Sequence, residues 1–428
     1  MCKSNGPMSG LWREADFLKF WTGETISLFG TQITALALPL AAADTLGATP
    51  AQMGMLNAAP LLPYLLLTLW VGVWVDRVKR RPILIVANIG RAVLLGFIPV
   101  SALLGILRIE YLYFVTLSVG VLTVCFDLAY QSYLPSLVDR ERLVEGNSKL
   151  QVSASIAQIG GPGLAGVLIG MMTAPIVILL DAVSYLLSAC FLAAIRKKEP
   201  TPSCSSVPPL FSGIGEGIHI VLSDPYLRAI AGEAATYNFF SQVCWAVYVL
   251  FMTRELHLGP DWLGWIMAAS SVGALAGSLL AGWIGRRLTV GRSITGAMWV
   301  ACVAPLLVPA VGGPWYVTVP ALMLSFFLSG VGLVVSNVHV ISLRQAIIPE
   351  HILGRVNACY RFIVTAAAPF GALLGGMLGS YFGLRITLVI GALGTLSAMG
   401  WILLSPVSRL REMPGEMERC GETGTRLV

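Results

Sequence analysis

The chain has 428 residues, of which 56% are hydrophobic and only 12% charged, about half the charged fraction of ordinary soluble domains. Its 28 Lys and Arg against 22 Asp and Glu leave a net charge of +6, but the basic residues sit in short gaps between apolar runs instead of on one basic face, which excludes nucleic acid as a partner. The surplus of apolar surface requires lipid as its solvent.

In chain order, MCKSNGPMSGLWREADF is polar up to Phe17 and then enters an apolar run too long for a signal peptide, so no cleaved targeting segment is expected. A helix needs about 20 apolar residues to cross the hydrocarbon core, where every backbone group must bond within its own segment. Twelve such runs are present: 18–44, 51–75, 82–106, 110–137, 148–172, 174–195, 227–252, 261–285, 292–312, 315–342, 356–380 and 383–405. The cysteines (Cys2, Cys125, Cys190, Cys204, Cys244, Cys302, Cys359 and Cys420) have no metal-ligand spacing and fall mostly inside these runs, as small apolar packers.

Alternate gaps between the runs are rich in Lys and Arg, from Lys3, Arg13 and Lys19 before the first span to Arg409, Arg411, Arg419 and Arg426 in the tail; the intervening gaps hold only Arg108, Arg254 and Arg385. The positive-inside rule then puts both termini in the cytoplasm and requires an even number of spans. The longest polar interruption, from Arg196 to about Pro225, contains EPTPSCSSVPPLFSG and reads as a flexible connector, with GIGEGIHIVL after it as a short surface helix. The expected organisation is a cytoplasmic N-terminus (1–17), a six-helix bundle (18–196), a cytoplasmic linker (197–225), a second six-helix bundle (226–405) and a cytoplasmic tail (406–428).

The two halves repeat. Gly23-Glu24 with Gln32 corresponds to Gly232-Glu233 with Gln242; GVWVDR at the end of the second span corresponds to GWIGRR at the end of the eighth; LPSLVDRERLVEGNSK corresponds to IIPEHILGRVNA. Two related halves of six spans are a common plan for secondary transporters.

With these motifs in view, the chain resembles the major facilitator superfamily (MFS). GVWVDRVKRRP is similar to its loop signature between the second and third helices, and GGPGLAGVLIG to the Gly-Pro motif of antiporters, with Ala165-Gly166 in place of a Gly pair. FLKFWTGETISLFGTQITALALPL, CFDLAYQSYLPSLV, LLDAVSYLLSA, EGIHIVLSDPYLRAI and HILGRVNACYR resemble stretches of a prokaryotic drug, macrolide and enterobactin efflux group. The resemblance implies an all-α membrane protein with the MFS fold, working by alternating access and exporting a small molecule. It also implies a central cavity lined by helices 1, 4, 7 and 10.

Ionisable side chains at membrane depth cost at least about 2.5–3.5 kcal/mol each, so Glu24, Arg91, Asp127, Asp181 and Glu233 are functional candidates. Arg91 and Asp127 each lie about ten residues, roughly 15 Å, from the cytoplasmic ends of neighbouring spans and are expected to pair, either as a structural tie or as a contact that opens in the transport cycle. Glu24 and Glu233, at matching places in the halves, are candidates for proton coupling, with solvated or capping roles as the plain alternative. Asp181 reads as a packing or gating residue. His339 and Arg361, near the interface, are explained by snorkelling. Gly72, Asp76, Arg77, Arg80 and Arg81 form a candidate cytoplasmic gate, since a carboxylate and guanidinium groups can bridge helices and release. Gly161, Pro162, Gly163 and Gly166 allow a kink and close packing. Gln32, Asn57, Tyr130, Tyr237, Asn238, Gln242 and Trp245 are the sparse polar and aromatic candidates for the cavity wall, suited to an amphiphilic, cationic molecule better than to a sugar.

No Walker loop, HExxH or catalytic Cys/His set is present, so the protein is read as no enzyme and no ATP-driven pump, with no cofactor and no metal. The expected partners are a small-molecule substrate, the lipid bilayer and a proton as coupling ion, and the expected state is a monomer in the cell membrane. Nutrient uptake on the same fold, or a non-transporting receptor or enzyme, are the competing readings.

Overall fold

The computed structural model of the protein describes residues 11–138, 142–197, 199, 218–348 and 350–410, and every regular element among them is a helix. Helices occupy all twelve expected spans. The first is Ala15–Leu40, the third Arg80–Leu103, the fourth Ile109–Leu137, the fifth Leu143–Met171 and the sixth Ala174–Ala193. The seventh is Pro225–Leu250 and the eighth Pro260–Arg287; the ninth, Val290–Val303, is extended by the short turns Ala304–Leu306 and Leu307–Ala310. The tenth is Trp315–Ile347, the eleventh Glu350–Ala366 with Ala368–Phe382, and the twelfth Leu384–Ser397 with Met399–Leu403.

Among the described residues, ten spans are helical stretches long and apolar enough to cross a bilayer. The second is instead broken into Pro50–Ala58 and Leu62–Arg77. Pro60 and Pro63 lie at the break, where a proline cannot donate to the helical ladder. Gly120 of the fourth helix accommodates it, because a Cβ there would come within 2.9 Å of the Pro60 carbonyl oxygen. The seventh is 26 residues long, but Glu233, Asn238, Ser241 and Gln242 dilute its apolar content. Its start follows directly from sequence: Asp224 caps it, accepting from Tyr226 N at 2.9 Å and Leu227 N at 2.8 Å, and Pro225 fills the first position, where no N–H is needed.

Two compact units result, and their boundaries depart from a simple six-plus-six division. The first takes in the chain through Ala48, the segment from Ala59 through the sixth helix, and Gly259–Ala268; the second takes in Thr49–Ala58, the seventh helix, and the chain from Ala269 onward. Each unit therefore holds the opening turns of a helix whose remainder belongs to the other. The reason is close backbone packing: in the second unit a Cβ on Gly54 would lie 2.7 Å from both the Ala372 carbonyl oxygen and Gly376 Cα, and in the first a Cβ on Gly264 would lie 3.0 Å from Gly166 Cα. In lipid, such small residues let helices associate through van der Waals contact.

The halves also repeat in backbone detail. The first and seventh helices both end in a π-helical turn, Ala41–Thr45 and Phe251–Glu255. Each turn is closed the same way, by Ala48 N donating to Ala42 O and Leu258 N donating to Met252 O, both at 2.9 Å. In the first unit the first helix packs on the sixth and fifth and the third on the sixth; in the second the seventh packs on the eleventh and twelfth and the ninth on the tenth.

The N-terminal ten residues, most of the linker and the tail from 411 lie outside the described residues. So does the GIGEG part of the expected surface helix, whereas residues 218–222 are helical.

Candidate functional site

Within the first unit, the charged candidates come together on the first, third, fourth and sixth helices. Arg91 is 4% exposed and donates to Asn88 Oδ1, one turn earlier, while Asn88 Nδ2 donates to Ser188 Oγ at 2.9 Å. The guanidinium lies between two rings, 4.1 Å from the Phe126 centroid and 4.3 Å from that of Tyr185. An arginine held this way keeps its charge at depth through ring faces and amide dipoles. Asp127 accepts a 2.5 Å hydrogen bond from the Tyr64 hydroxyl. Its chain neighbour Phe126 covers Arg91, so Arg91 and Asp127 lie in one cluster, with Tyr64 as one partner of the carboxylate. Glu24, half-buried, is within electrostatic reach of both Arg91 and Asp127. Asp181, 1% exposed, accepts from Thr34 Oγ1 at 2.5 Å and Ser184 Oγ at 3.1 Å, which ties the sixth helix to the first.

Glu233, at the position in the second half that matches Glu24, is 4% exposed. No hydrogen bond or ion pair to it is present among the described residues, and Tyr237, Tyr360 and Cys302 are within electrostatic reach. Tyr237, one turn further along the seventh helix, opens a cavity of about 320 Å³ inside the second unit. Four of the expected wall residues line it: Tyr237, Asn238, Gln242 and Trp245. Serines on the tenth helix (Ser325 and Ser329), with Phe326, Tyr248, Ser270 and Thr395, complete a wall of hydroxyls and rings. The Ser325/Ser329 pair, four residues apart on an apolar helix, is a signal the sequence carried and the sequence reading missed.

Three other expected wall residues do not line this cavity. Gln32 packs its stem against Gly161, where a Cβ would collide with Gln32 Cβ. Asn57 is satisfied on its own helix by the Met53 carbonyl at 2.9 Å. Tyr130 stacks between Phe20 and Phe126, with centroids at 5.4 and 5.9 Å.

The Gly-Pro segment of the fifth helix is a packing surface for two neighbours. Gly161 receives the first helix; the Pro162 carbonyl and Gly166 receive the start of the eighth, with a Cβ on Gly166 falling 2.7 Å from Pro260 O; and Gly163 faces the Trp265 ring.

The basic loop after the second helix works inside the first unit. Glu199 accepts from Arg80 N at 2.7 Å and Arg81 N at 3.1 Å, capping the third helix from beyond the sixth. Arg81 in turn donates from Nε to Leu192 O and from Nη2 to Ala193 O, closing the last turn of the sixth helix. Asp16 accepts from Arg196 N and Lys197 N, and Lys197 Nζ donates to Leu137 O, so the chain leaving the sixth helix is tied at several points. Arg77 is exposed, Gly72 meets open space, and the side chain of Asp76 lies outside the described residues. Glu199 was illegible as a cap because it stands at the head of the Pro/Ser-rich connector.

A chain of twelve membrane-crossing helices in two repeating halves, with ionisable groups buried in each half and a polar-aromatic cavity in the second, is a secondary transporter in class. It belongs to the transmembrane secretion effector family of the major facilitator superfamily, whose profile matches residues 6–419. It is 27% identical to the multidrug efflux pump Tap of Mycolicibacterium fortuitum over 403 residues, covering 90% of this chain and 93% of that one. To macrolide efflux protein A of Streptococcus pyogenes it is 24% identical over 405 residues, covering 93% and 97%. Among solved structures, a bacterial homologue of the iron transporter ferroportin shares its fold with a TM-score of 0.72 at 18% identity, covering 91% of this chain and 98% of that one.

Proposed function

We propose that the protein exports a small amphiphilic molecule, of the drug or secondary-metabolite kind, across the cell membrane in exchange for protons, with both termini in the cytoplasm. The observation that carries this reading is the placement of Glu233 one helical turn from Tyr237, so that a buried carboxylate with no described cation partner adjoins the wall of the cavity. A carboxylate at such depth is costly to charge without a partner. Uptake of a proton and its release to the other side would therefore change the electrostatics of the cavity during the cycle. The cavity wall offers rings for an apolar or cationic surface and a few hydroxyls and amides to orient it, which suits an amphiphile. The efflux pumps among the relatives support the direction of transport. The basic loops support the orientation.

The test is transport of ethidium by the purified protein in proteoliposomes with an imposed pH gradient. Wild type should move ethidium against its gradient and dissipate the pH difference, and Glu233→Gln should retain ethidium binding while losing gradient-driven movement. Undiminished proton-driven transport in both Glu233→Gln and Glu24→Gln would reject these residues as coupling groups. Accumulation on the opposite side would reverse the direction.

A further inference from the structure

A second cavity, of about 450 Å³, lies at the basic end of the second unit between the start of the seventh helix and the end of the twelfth, far along the seventh helix from the Tyr237 wall. Pro225, Arg228, Ser397, Trp401, Leu404 and Ser405 are among its lining residues. It opens beside an apolar stripe of the twelfth helix. Ile386, Val389, Leu393, Trp401 and Leu404 are all exposed and recur at helical spacing along one stripe of the twelfth helix, and Ser397 lies on the same stripe. Its far wall is held in place: Gly232 leaves room for the Trp401 indole to lie against the seventh helix, where a Cβ would come within 2.6 Å of the ring, and Trp401 Nε1 donates to Thr236 Oγ1 at 3.1 Å.

The cation of this groove is Arg228, one turn inside the seventh helix. Among the described residues its side chain makes a single hydrogen bond, to Leu222 O at 3.5 Å, and no ion pair. Asp224, four residues earlier, is engaged as the helix cap. An exposed arginine without an acidic partner, above an apolar slot that faces hydrocarbon and is rimmed by two serine hydroxyls, is complementary to one occupant: a molecule with a phosphate at the interface and an acyl chain below it.

We propose that this groove is a binding site for an anionic phospholipid, with the phosphate on Arg228 and one acyl chain along Trp401 and Leu404. Ser405 and Ser397, whose hydroxyls donate to Ile402 O and Gly394 O of the same helix, lie beside the glycerol and upper-chain region. A cationic amphiphile of the transported kind is disfavoured there by the same arginine. The site stands apart from the transport reading, since it needs neither a substrate nor a direction.

Quenching of Trp401 fluorescence by brominated lipids tests it on the full-length protein in phosphatidylcholine bilayers. The Trp401 signal is taken as the difference between wild type and Trp401→Phe. Brominated phosphatidylglycerol should quench this component with a binding preference over brominated phosphatidylcholine of about fivefold, the effect of one cation near an anionic lipid surface, while the remaining tryptophans show no preference. Arg228→Gln should abolish the preference and Arg228→Lys should keep it, which separates charge from loss of fold. Equal quenching of Trp401 by the two lipids, a preference that survives in Arg228→Gln, or its removal by millimolar inorganic phosphate would each overturn the proposal. Symmetric bilayers make the readout independent of orientation and of transport.

Discussion

Gly54 and Gly376 meet backbone to backbone: a Cβ on Gly54 would lie 2.7 Å from Gly376 Cα, and one on Gly376 would lie 2.8 Å from Gly54 Cα. The same contact recurs in the first unit between Gly264 and Gly166. In sequence, 210 residues separate Gly54 from Gly264 and 210 separate Gly166 from Gly376. The repeat thus preserves the contact as well as the residues. Each glycine lets the first turns of one helix seat on another without an intervening side chain.

Substitution at these contacts should therefore act alike in both halves. Gly376→Ala and Gly166→Ala each force a methyl against backbone that cannot rotate away, an overpacking cost of about 1–3 kcal/mol. A fall in the thermal unfolding midpoint of both purified variants checks this. Gly72→Ala is the matched comparison. Its Cβ meets nothing, so replacing a helical glycine should leave stability unchanged or raise it by about 0.4–1 kcal/mol. If Gly72→Ala folds and loses transport, the loop glycine is needed in a conformation other than this one.

Glu199 carries a second prediction. It satisfies two orphan N–H groups of the third helix across more than a hundred residues of sequence, and its side chain is nearly buried. Glu199→Ala should destabilise the protein by about 0.5–2 kcal/mol, as loss of a helix cap does. The chain beyond the sixth helix should also become open to limited proteolysis. Proteolysis unchanged from wild type would show that Asp16, Arg81 and Lys197 hold that chain without it.

The setting of Arg91 sharpens a third. Its described partners are Asn88 and the faces of Phe126 and Tyr185, which favour a flat guanidinium over a compact ammonium. Arg91→Lys should then lose about 0.5–2 kcal/mol of stability although the charge is kept. A charge-swapped Arg91→Asp/Asp127→Arg double variant should not restore activity, because an aspartate cannot lie between two rings. Transport restored in that double variant would indicate that the two residues pair directly.

A fourth concerns the cavity of the second unit. Gln242→Ala removes an amide from the wall and Trp245→Ala removes a ring. The first should weaken substrates that carry a hydrogen-bonding group by about tenfold, equivalent to about 1.4 kcal/mol, and spare purely apolar ones. Trp245→Ala should weaken all of them. Binding constants for a panel of dyes on the two variants decide it, and an identical loss pattern would show that neither residue selects among them.

Much of this arrangement was legible before any coordinates. The repeat of Gly23-Glu24 in Gly232-Glu233 follows from residue type and position, and so does the grouping of Tyr237, Asn238, Gln242 and Trp245, which line one cavity. Gln32, Asn57 and Tyr130 looked equivalent to them and do not line that cavity; their described neighbours are a glycine, a carbonyl of the same helix and two rings. Arg80 and Arg81, expected as gate residues, also fasten the third and sixth helices within one unit, together with Glu199. Their geometry depends on where distant chain ends fall.

By itself the sequence determined that this protein lives in a membrane, how many times it crosses, and which ends of its helices carry the basic loops, because the transfer of apolar and charged groups between water and lipid is local and nearly additive along the chain. Tertiary structure alone decided which faces of those helices meet. In lipid the outward face is as apolar as the inward one, so hydrophobic periodicity does not mark the interior, and contact is set by shape. That is why Gly54 finds Gly376, why Arg91 lies between Phe126 and Tyr185, and why a groove with Arg228 at its head opens on the lipid side of the twelfth helix.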